Sequence, residues 1–193
     1  DLAIGIKFGN SGQICVAANR FFIHKNIFDS FLKAYVERVN KIKLGFGKNE
    51  KVDMGPLINF QARKRIMNLV KDAVNNGAHI ETGGNIPEKF KKGYWLEPTV
   101  LSNVNSKMKI YKEEIFGPVA CIMSFDHENE VLTLANDTKY GLASYLFTKD
   151  KDRIEYFSKN LDFGEVQVNG IKYAIYLPHG GVKDRGLGHD CAH

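Results

Sequence analysis

The sequence predicts an α/β fold, built from an open and mostly parallel sheet flanked by helices. Segments with apolar residues at helical spacing alternate along the chain with short apolar segments that are typical of strands. Glycines separate many of these segments, as at the ends of helices and in turns. Because the two signals alternate without repeats or a low-complexity linker, we expect one α/β domain over residues 1–193.

The helices are predicted from apolar spacing and the strands from short β-prone runs. The first helix has Asn26 as its expected N-cap, and Gly77 is expected to end the second. Predicted helices cover residues 27–43, 60–76, 128–136 and 150–160, and predicted strands cover 78–82, 94–101, 118–125, 144–148 and 165–169.

Composition indicates an ordinary globular protein and argues against several classes. Hydrophobic residues make up 44% of the chain, charged residues 25%, and the net charge is +5. Basic clusters such as Arg63–Arg65 are short, and we interpret them as solvated helix faces. We therefore expect no nucleic-acid partner. No apolar stretch approaches the roughly 20 residues that span a bilayer, so we expect no membrane partner.

The cysteines, Cys15, Cys121 and Cys191, are widely spaced and form no CxxC pair. This spacing predicts neither a disulfide framework nor a metal site, and it favours a cytoplasmic location. The start of the chain shows no signal peptide. Since the chain does not begin with Met, we expect it to be a piece of a longer protein.

Asn10–Cys15 is the first segment that could carry chemistry. A cysteine beside small residues can be presented at a turn, and its thiolate is a strong nucleophile if neighbouring amides stabilise it. The alternative is a buried cysteine that serves only as a small apolar side chain.

Lys112–Pro118 is the second such segment. An acid at the entrance of a strand could accept hydrogen bonds from sugar hydroxyls, and Phe116 could stack on a flat ring. The alternative is a solvated turn with Phe116 in the core.

Pro178–Lys183 is the third, with Gly186 and Gly188 after it. Glycine at this density indicates close backbone approach or positive φ. A surface loop with a structural His179 is the alternative.

Taken together and in this order, the motifs closely resemble the aldehyde dehydrogenase superfamily. Phe8–Cys15 resembles its cysteine loop, and Glu113–Pro118 resembles its cofactor-contacting motif. Further matches are Asn136-Asp137, Tyr140–Ala143, Val168-Asn169 and the glycine-rich ending. The resemblance covers nearly the whole chain and identifies residues 1–193 as the cysteine-bearing catalytic domain, without the cofactor-binding domain.

The resemblance implies NAD- or NADP-dependent oxidation of an aldehyde to a carboxylic acid. Cys15 would be the nucleophile, Glu114 would bind the nicotinamide ribose, and Phe116 would pack near the nicotinamide. Gln13, Asn169 and His179 would bind the aldehyde. In relatives the dinucleotide-binding domain and the general-base glutamate precede the cysteine, so we expect this chain alone to be inactive. A homo-oligomer is expected for the longer enzyme.

Departures from the family pattern bear on the substrate. Val16–Arg20 resembles succinate-semialdehyde dehydrogenases, yet those enzymes often carry Arg where Gly9 stands, and His179 stands where relatives usually carry Phe. A small or phosphorylated aldehyde, such as a glyceraldehyde derivative, is therefore the alternative to succinate semialdehyde.

Two other classes of function stay open at this point. One is a non-catalytic protein that keeps the fold. The other is an acyl-transferring cysteine enzyme, which would need a histidine base such as His24, His79 or His179 near Cys15.

Overall fold

The structure, a computed structural model, describes residues 1–48, 51–172, 176–185 and 188–191. The chain divides into two compact units. Unit 1 consists of Asp1 and Ala3–Phe125, and unit 2 consists of Leu2 and the described residues from Asp126 onward. Gly186, part of the predicted glycine-rich segment, lies outside the described residues. The assignment of 1–193 to one catalytic domain stays a prediction.

Unit 1 is built on a mixed but mostly parallel sheet. Its strands, within the described residues, are β1 (Arg20–His24), β2 (His79–Thr82), β3 (Thr99–Ser102) and β4 (Val119–Phe125). They lie in the order β1-β4-β3-β2. β4 is parallel to both β1 and β3, whereas β2 is an antiparallel edge strand. The predicted mostly parallel sheet is confirmed.

Helices cover both faces of this sheet. They are α1 (Leu2–Phe8), α2 (Phe28–Val39), α3 (Phe60–Asn75) and the single turn α4 (Lys109–Lys112). α3 begins at Asn59, whose side chain accepts a hydrogen bond from the Ala62 amide at 2.8 Å, a standard N-cap.

The core lies on both sides of β4, whose side chains alternate between the faces. Val119, Cys121 and Met123 pack into the cluster that contains α3, while Ala120 and Ile122 pack with residues of α1 and α2. Because both faces are covered, the strand is apolar and buried from Val119 to Met123, as expected for a central parallel strand. This rigid strand begins directly after the Glu113–Pro118 motif.

Unit 2 contains a parallel pair of strands and two helices among its described residues. The elements are α5 (Glu128–Asn136), β5 (Ala143–Leu146), α6 (Lys151–Asn160) and β6 (Glu165–Val168). All four agree with the sequence prediction to within two residues. β5 and β6 pair in parallel with Ala143 opposite Glu165 and Tyr145 opposite Gln167.

Two sequence predictions need correction. The helix predicted over 27–43 spans only Phe28–Val39, and its N-cap is Ile27 rather than Asn26, because a 3₁₀ turn over Lys25–Ile27 precedes it. The strand predicted over 94–101 is confined to Thr99–Ser102. Pro98 has no N–H to donate, and Tyr94 makes only an isolated bridge to Leu57.

The short elements α1, β1 and α4 were not predicted. With seven, five and four residues, they are too short for a clear periodic signal. In the described part of the chain, no helix is long and apolar enough to cross a membrane.

Candidate functional site

The cysteine loop leaves α1 through a left-handed turn. Asn10, Ser11 and Gly12 follow one another with φ of 48°, 58° and 70°. Left-handed conformations cost non-glycine residues free energy and persist where the surroundings hold them. Here the buried Ser11 hydroxyl donates to the Gly55 carbonyl oxygen at 2.8 Å, which ties the turn to the body of unit 1.

This turn delivers Cys15 to the surface. The Ala17 amide donates to the Ile14 carbonyl at 3.0 Å, so Cys15 lies on a second tight turn, and the residue is exposed. The Gln13 side chain anchors the loop: its Oε1 accepts from the Ile58 amide at 2.9 Å, and its Nε2 donates to the Asn10 carbonyl at 3.3 Å. Cys15 is exposed at a turn, as the sequence predicts. Both ends of the Gln13 side-chain amide form hydrogen bonds to backbone groups of the protein.

The cysteine loop is in backbone contact with the second motif. A Cβ placed on Gly12 would lie 2.2 Å from the carbonyl oxygen of Gly117, far closer than any real contact. A Cβ on Gly117 would in turn lie 2.3 Å from Ile66 Cδ1 of α3. The two segments predicted to carry chemistry are therefore brought together in unit 1. Gly12 makes their approach possible, and Gly117 makes room for α3.

The segment before Gly117 is held by hydrogen bonds to its backbone. Arg65 of α3 donates from its two terminal nitrogens to the carbonyls of Glu114 and Ile115, at 2.9 and 2.5 Å. The Ile115 amide donates to Asn19 Oδ1 at 3.4 Å. Phe116 follows with φ of 46°, and its side chain is 39% exposed. The alternative that placed Phe116 in the core is wrong.

Sequence reasoning missed the part that Arg65 takes in holding the second motif. It belongs to the Arg63–Arg65 cluster that we interpreted as a solvated helix face. Its guanidinium instead donates one hydrogen bond from each terminal nitrogen to two adjacent backbone carbonyls, a geometry that suits the planar arginine side chain. The sequence does not distinguish it from its neighbours, because the partner carbonyls lie about fifty residues away.

Lys7, on the last turn of α1, is fully buried. Among the described residues, its Nζ has no hydrogen-bond partner. Burial lowers the pKa of Lys7 from 10.5 to about 8, and attraction to the ionisable groups of Cys121 and Glu114 opposes that shift. Cys121 is also completely buried, and burial raises its pKa to about 12. Sequence reasoning did not select Lys7.

In unit 2, Asn169 closes the end of the β5–β6 pair. Its φ is 52°, its Nδ2 donates to the Thr148 carbonyl at 2.7 Å, and its Oδ1 accepts from the Thr148 amide at 3.0 Å. The side chain thus continues the strand pairing beyond Leu146. A contact of Asn169 with an aldehyde stays a prediction.

His179 in unit 2 is paired with an acid. Its Nδ1 is hydrogen-bonded to Oε1 of Glu165 on β6, and both side chains are about four-fifths buried. Its backbone exchanges two hydrogen bonds of 2.8 Å with Asp190. Glu165 is a second residue that sequence reasoning missed, since it carries no motif of its own.

Comparison with known proteins decides the family. The model for the Aldehyde dehydrogenase family matches residues 1–193. The chain belongs to the aldehyde dehydrogenase family. It is 41% identical over 184 residues to a chloroplastic betaine aldehyde dehydrogenase of Beta vulgaris, covering 95% of this chain and 37% of that protein.

Two further relatives support this membership. The chain is 41% identical over 191 residues to succinate-semialdehyde dehydrogenase [NADP(+)] 1 of Schizosaccharomyces pombe, covering 98% of this chain and 38% of the relative. The crystal structure of Staphylococcus aureus betaine aldehyde dehydrogenase with NAD+ superposes with a TM-score of 0.94 at 38% identity, covering 98% and 38% of the two chains. The chain thus spans less than two fifths of these aldehyde dehydrogenases.

The alternative of an acyl-transferring cysteine enzyme gains no support from unit 1. His24 Nδ1 accepts a hydrogen bond from the Asn26 amide at 3.3 Å, and His79 lies on β2 opposite Ser102. Across the described ranges, no group of three or more His, Cys, Asp or Glu side chains is placed to hold a metal ion. The expectation of no metal stays a prediction.

Gly12→Ala tests the backbone contact between the two motifs. We expect it to lower the free energy of unfolding of unit 1 more than Gly77→Ala does. Gly77 also has positive φ, 99°, but a Cβ there meets nothing within 4 Å. Gly77→Ala should cost about 1–2 kcal/mol from φ alone, and the clash at Gly12 should add at least about 2 kcal/mol. Denaturant unfolding measures both, and equal losses would contradict the contact.

Lys7→Met tests whether the buried Lys7 amine makes the stability of the fold depend on pH. The folded chain releases this proton near pH 8, whereas the unfolded chain holds it to about pH 10.5. Between these values the unfolded state binds more protons, so stability rises with pH, by about 1 kcal/mol from pH 8 to pH 9. The cost of the charged amine is greatest below pH 8.

The measurement is denaturant unfolding of parent and variant across this range. Lys7→Met should be more stable than the parent at pH 7. Its free energy of unfolding should not rise between pH 8 and pH 9. Cys121, whose raised pKa of about 12 removes stability above pH 9, is present in both proteins. Parallel pH profiles for parent and variant would contradict a buried charged Lys7.

Proposed function

We propose that this chain is part of an enzyme that oxidises an aldehyde to a carboxylic acid with NAD or NADP, and that Cys15 is its nucleophile. The observation that carries the proposal is the contact between the two motifs. An exposed cysteine lies on a loop whose backbone touches the segment that bears Glu114 and Phe116. Membership of the aldehyde dehydrogenase family supports the same reaction.

Cys15 performs the covalent chemistry in this proposal. Its thiolate attacks the carbonyl carbon, the C–S bond forms, and the carbonyl π electrons move to oxygen to give a thiohemiacetal. The Cys15 backbone N–H donates to that oxygen and stabilises its developing charge. Water later attacks the thioester, the C–S bond breaks, and the acid leaves with the thiol restored.

Glu114 and Phe116 fit a nicotinamide cofactor. The carboxylate of Glu114 is half-buried and can accept hydrogen bonds from ribose hydroxyls, while the exposed ring of Phe116 can pack against a flat ring. The cofactor, when bound, would supply the hydride acceptor, and loss of hydride and of the hydroxyl proton would convert the thiohemiacetal on Cys15 into a thioester. Arg65 and Asn19 hold the segment in place through its backbone.

The substrate is proposed more narrowly from the relatives and the residues. Succinate semialdehyde is our first candidate, because a relative 41% identical carries that name, and a glyceraldehyde derivative is the second. Asn169 and His179 are proposed to line the aldehyde site. For Gln13 we propose a positioning role, because both ends of its amide already bind backbone.

The proposed enzyme is a homo-oligomer and has no nucleic-acid or membrane partner. The proposed cofactor is NAD or NADP, because the relatives include an NADP(+) enzyme and a structure with NAD+. A cytoplasmic location stays a prediction, since relatives include a chloroplastic and a mitochondrial protein.

Cys15→Ala in the full-length protein that carries this chain tests the proposal. We expect NAD(P)H formation from aldehydes to fall by at least about a thousandfold, because no other group supplies the covalent step. Cys191→Ala is the matched control, since Cys191 is also exposed and has no role in the mechanism. An active Cys15→Ala enzyme, or a parent that oxidises no aldehyde, would contradict the proposal.

A further inference from the structure

We propose that Arg65 is a positioning residue for the nicotinamide half of the cofactor. Its guanidinium holds the two peptide planes on either side of Ile115, and through them the left-handed conformation of Phe116. The inference rests on the proposed function, in which Glu114 and Phe116 contact that half of NAD or NADP. It assigns a part in cofactor binding to a residue that lies outside both motifs.

The two carbonyls that Arg65 binds belong to these two planes. Its Nη1 donates to the Glu114 oxygen at 2.9 Å, and its Nη2 donates to the Ile115 oxygen at 2.5 Å. The amide of the first plane, that of Ile115, also donates to Asn19 Oδ1 at 3.4 Å. Because a peptide unit is planar, a hydrogen bond to its oxygen restrains the whole plane.

Phe116 needs this restraint, since its backbone is in a conformation that costs free energy. Its φ is 46°, in the left-handed region that disfavours residues with a Cβ. This angle describes the rotation of the Phe116 Cα against the plane that carries the Ile115 oxygen. A turn of that plane would relieve the strain and reorient the Phe116 ring. The charge-assisted hydrogen bond from Arg65 opposes the turn.

Arg65 is itself held by a rigid helix. α3 is capped by Asn59 and packs into the core through the residue that follows Arg65, the wholly buried Ile66. Ile66 also contacts the same segment, because a Cβ on Gly117 would lie only 2.3 Å from its Cδ1. Consecutive residues of α3 thus hold the segment by its carbonyls and by its glycine.

Loss of Arg65 is expected to loosen the segment rather than to unfold unit 1. The Ile115 side chain is wholly buried in the core cluster, and the Gly117 carbonyl lies against Gly12. Neither contact involves Arg65. Glu114 and Phe116, on either side of Ile115, are therefore the residues whose placement should change.

The test measures ligand binding to the full-length enzyme with and without the nicotinamide half. NADH or NADPH, whichever the parent uses, contains that half, whereas ADP or its 2′-phosphate lacks it. We expect Arg65→Met to raise the Kd of NAD(P)H about tenfold or more and to leave the Kd of the adenine ligand nearly unchanged. Arg65→Lys keeps the charge but not the parallel pair of donors, so its Kd for NAD(P)H should stay at least about threefold above the parent value.

Arg63→Met is the matched control. Arg63 belongs to the same helix and basic cluster, but its guanidinium lies over the rings of Phe60 and Tyr94, 5.8 and 5.9 Å from their centroids. We expect this variant to bind both ligands as the parent does.

Hydrogen exchange of the ligand-free enzymes gives a readout that needs no cofactor. The amides of residues 113–117 should exchange faster in Arg65→Met than in the parent or in Arg63→Met. Melting temperatures are measured on every variant, and if Arg65→Met does not fold, Arg65→Lys tests the proposal with the same ligands and the same exchange measurement.

The outcomes are distinguishable. Parent affinity for NAD(P)H in Arg65→Met or Arg65→Lys, equal loss for NAD(P)H and the adenine ligand, or unchanged exchange at residues 113–117 would overturn the positioning role and leave the proposed function intact. A parent enzyme that forms no NAD(P)H from any aldehyde would instead overturn the proposed function, and the positioning role with it.

Discussion

The close approach of Gly12 to the Gly117 carbonyl is the constraint on which the site in unit 1 depends. It requires a left-handed turn after α1, which Ser11 ties to Gly55, and the absence of a side chain at Gly12. The same turn sends the chain outward to Cys15, while the other side continues into strand β4, which is buried from Val119 to Met123. The loop that carries Cys15 and the segment that carries Glu114 and Phe116 are thus in backbone contact within unit 1.

Polar groups stabilise these irregular segments where no regular ladder of backbone hydrogen bonds is present. Arg65 and Asn19 satisfy the backbone of the Glu114–Phe116 segment, and Gln13 joins the cysteine loop to Ile58. Lys7 differs, since it is buried without a described partner and lowers stability below pH 8. In unit 2 the Glu165–His179 pair is instead satisfied on both carboxylate oxygens.

Much of this could be predicted from the sequence, and the failures have physical causes. Long periodic segments such as α3 and α6 were predicted to within two residues, because apolar spacing reports the buried face. The short α1 and β1 were missed, although α1 positions the cysteine loop. Arg65 and Glu165 could not be identified, since their roles come from partners brought near only by folding.

Site-resolved alkylation of the folded chain, read by peptide mass spectrometry, tests the central claim most directly. The claim is that the loop presents Cys15 while the sheet encloses Cys121, which has no exposed surface. We expect Cys15 to be modified in the folded chain and Cys121 only after denaturation. Protection of Cys15 until the chain unfolds would show that the loop does not present the thiol, and would contradict the account.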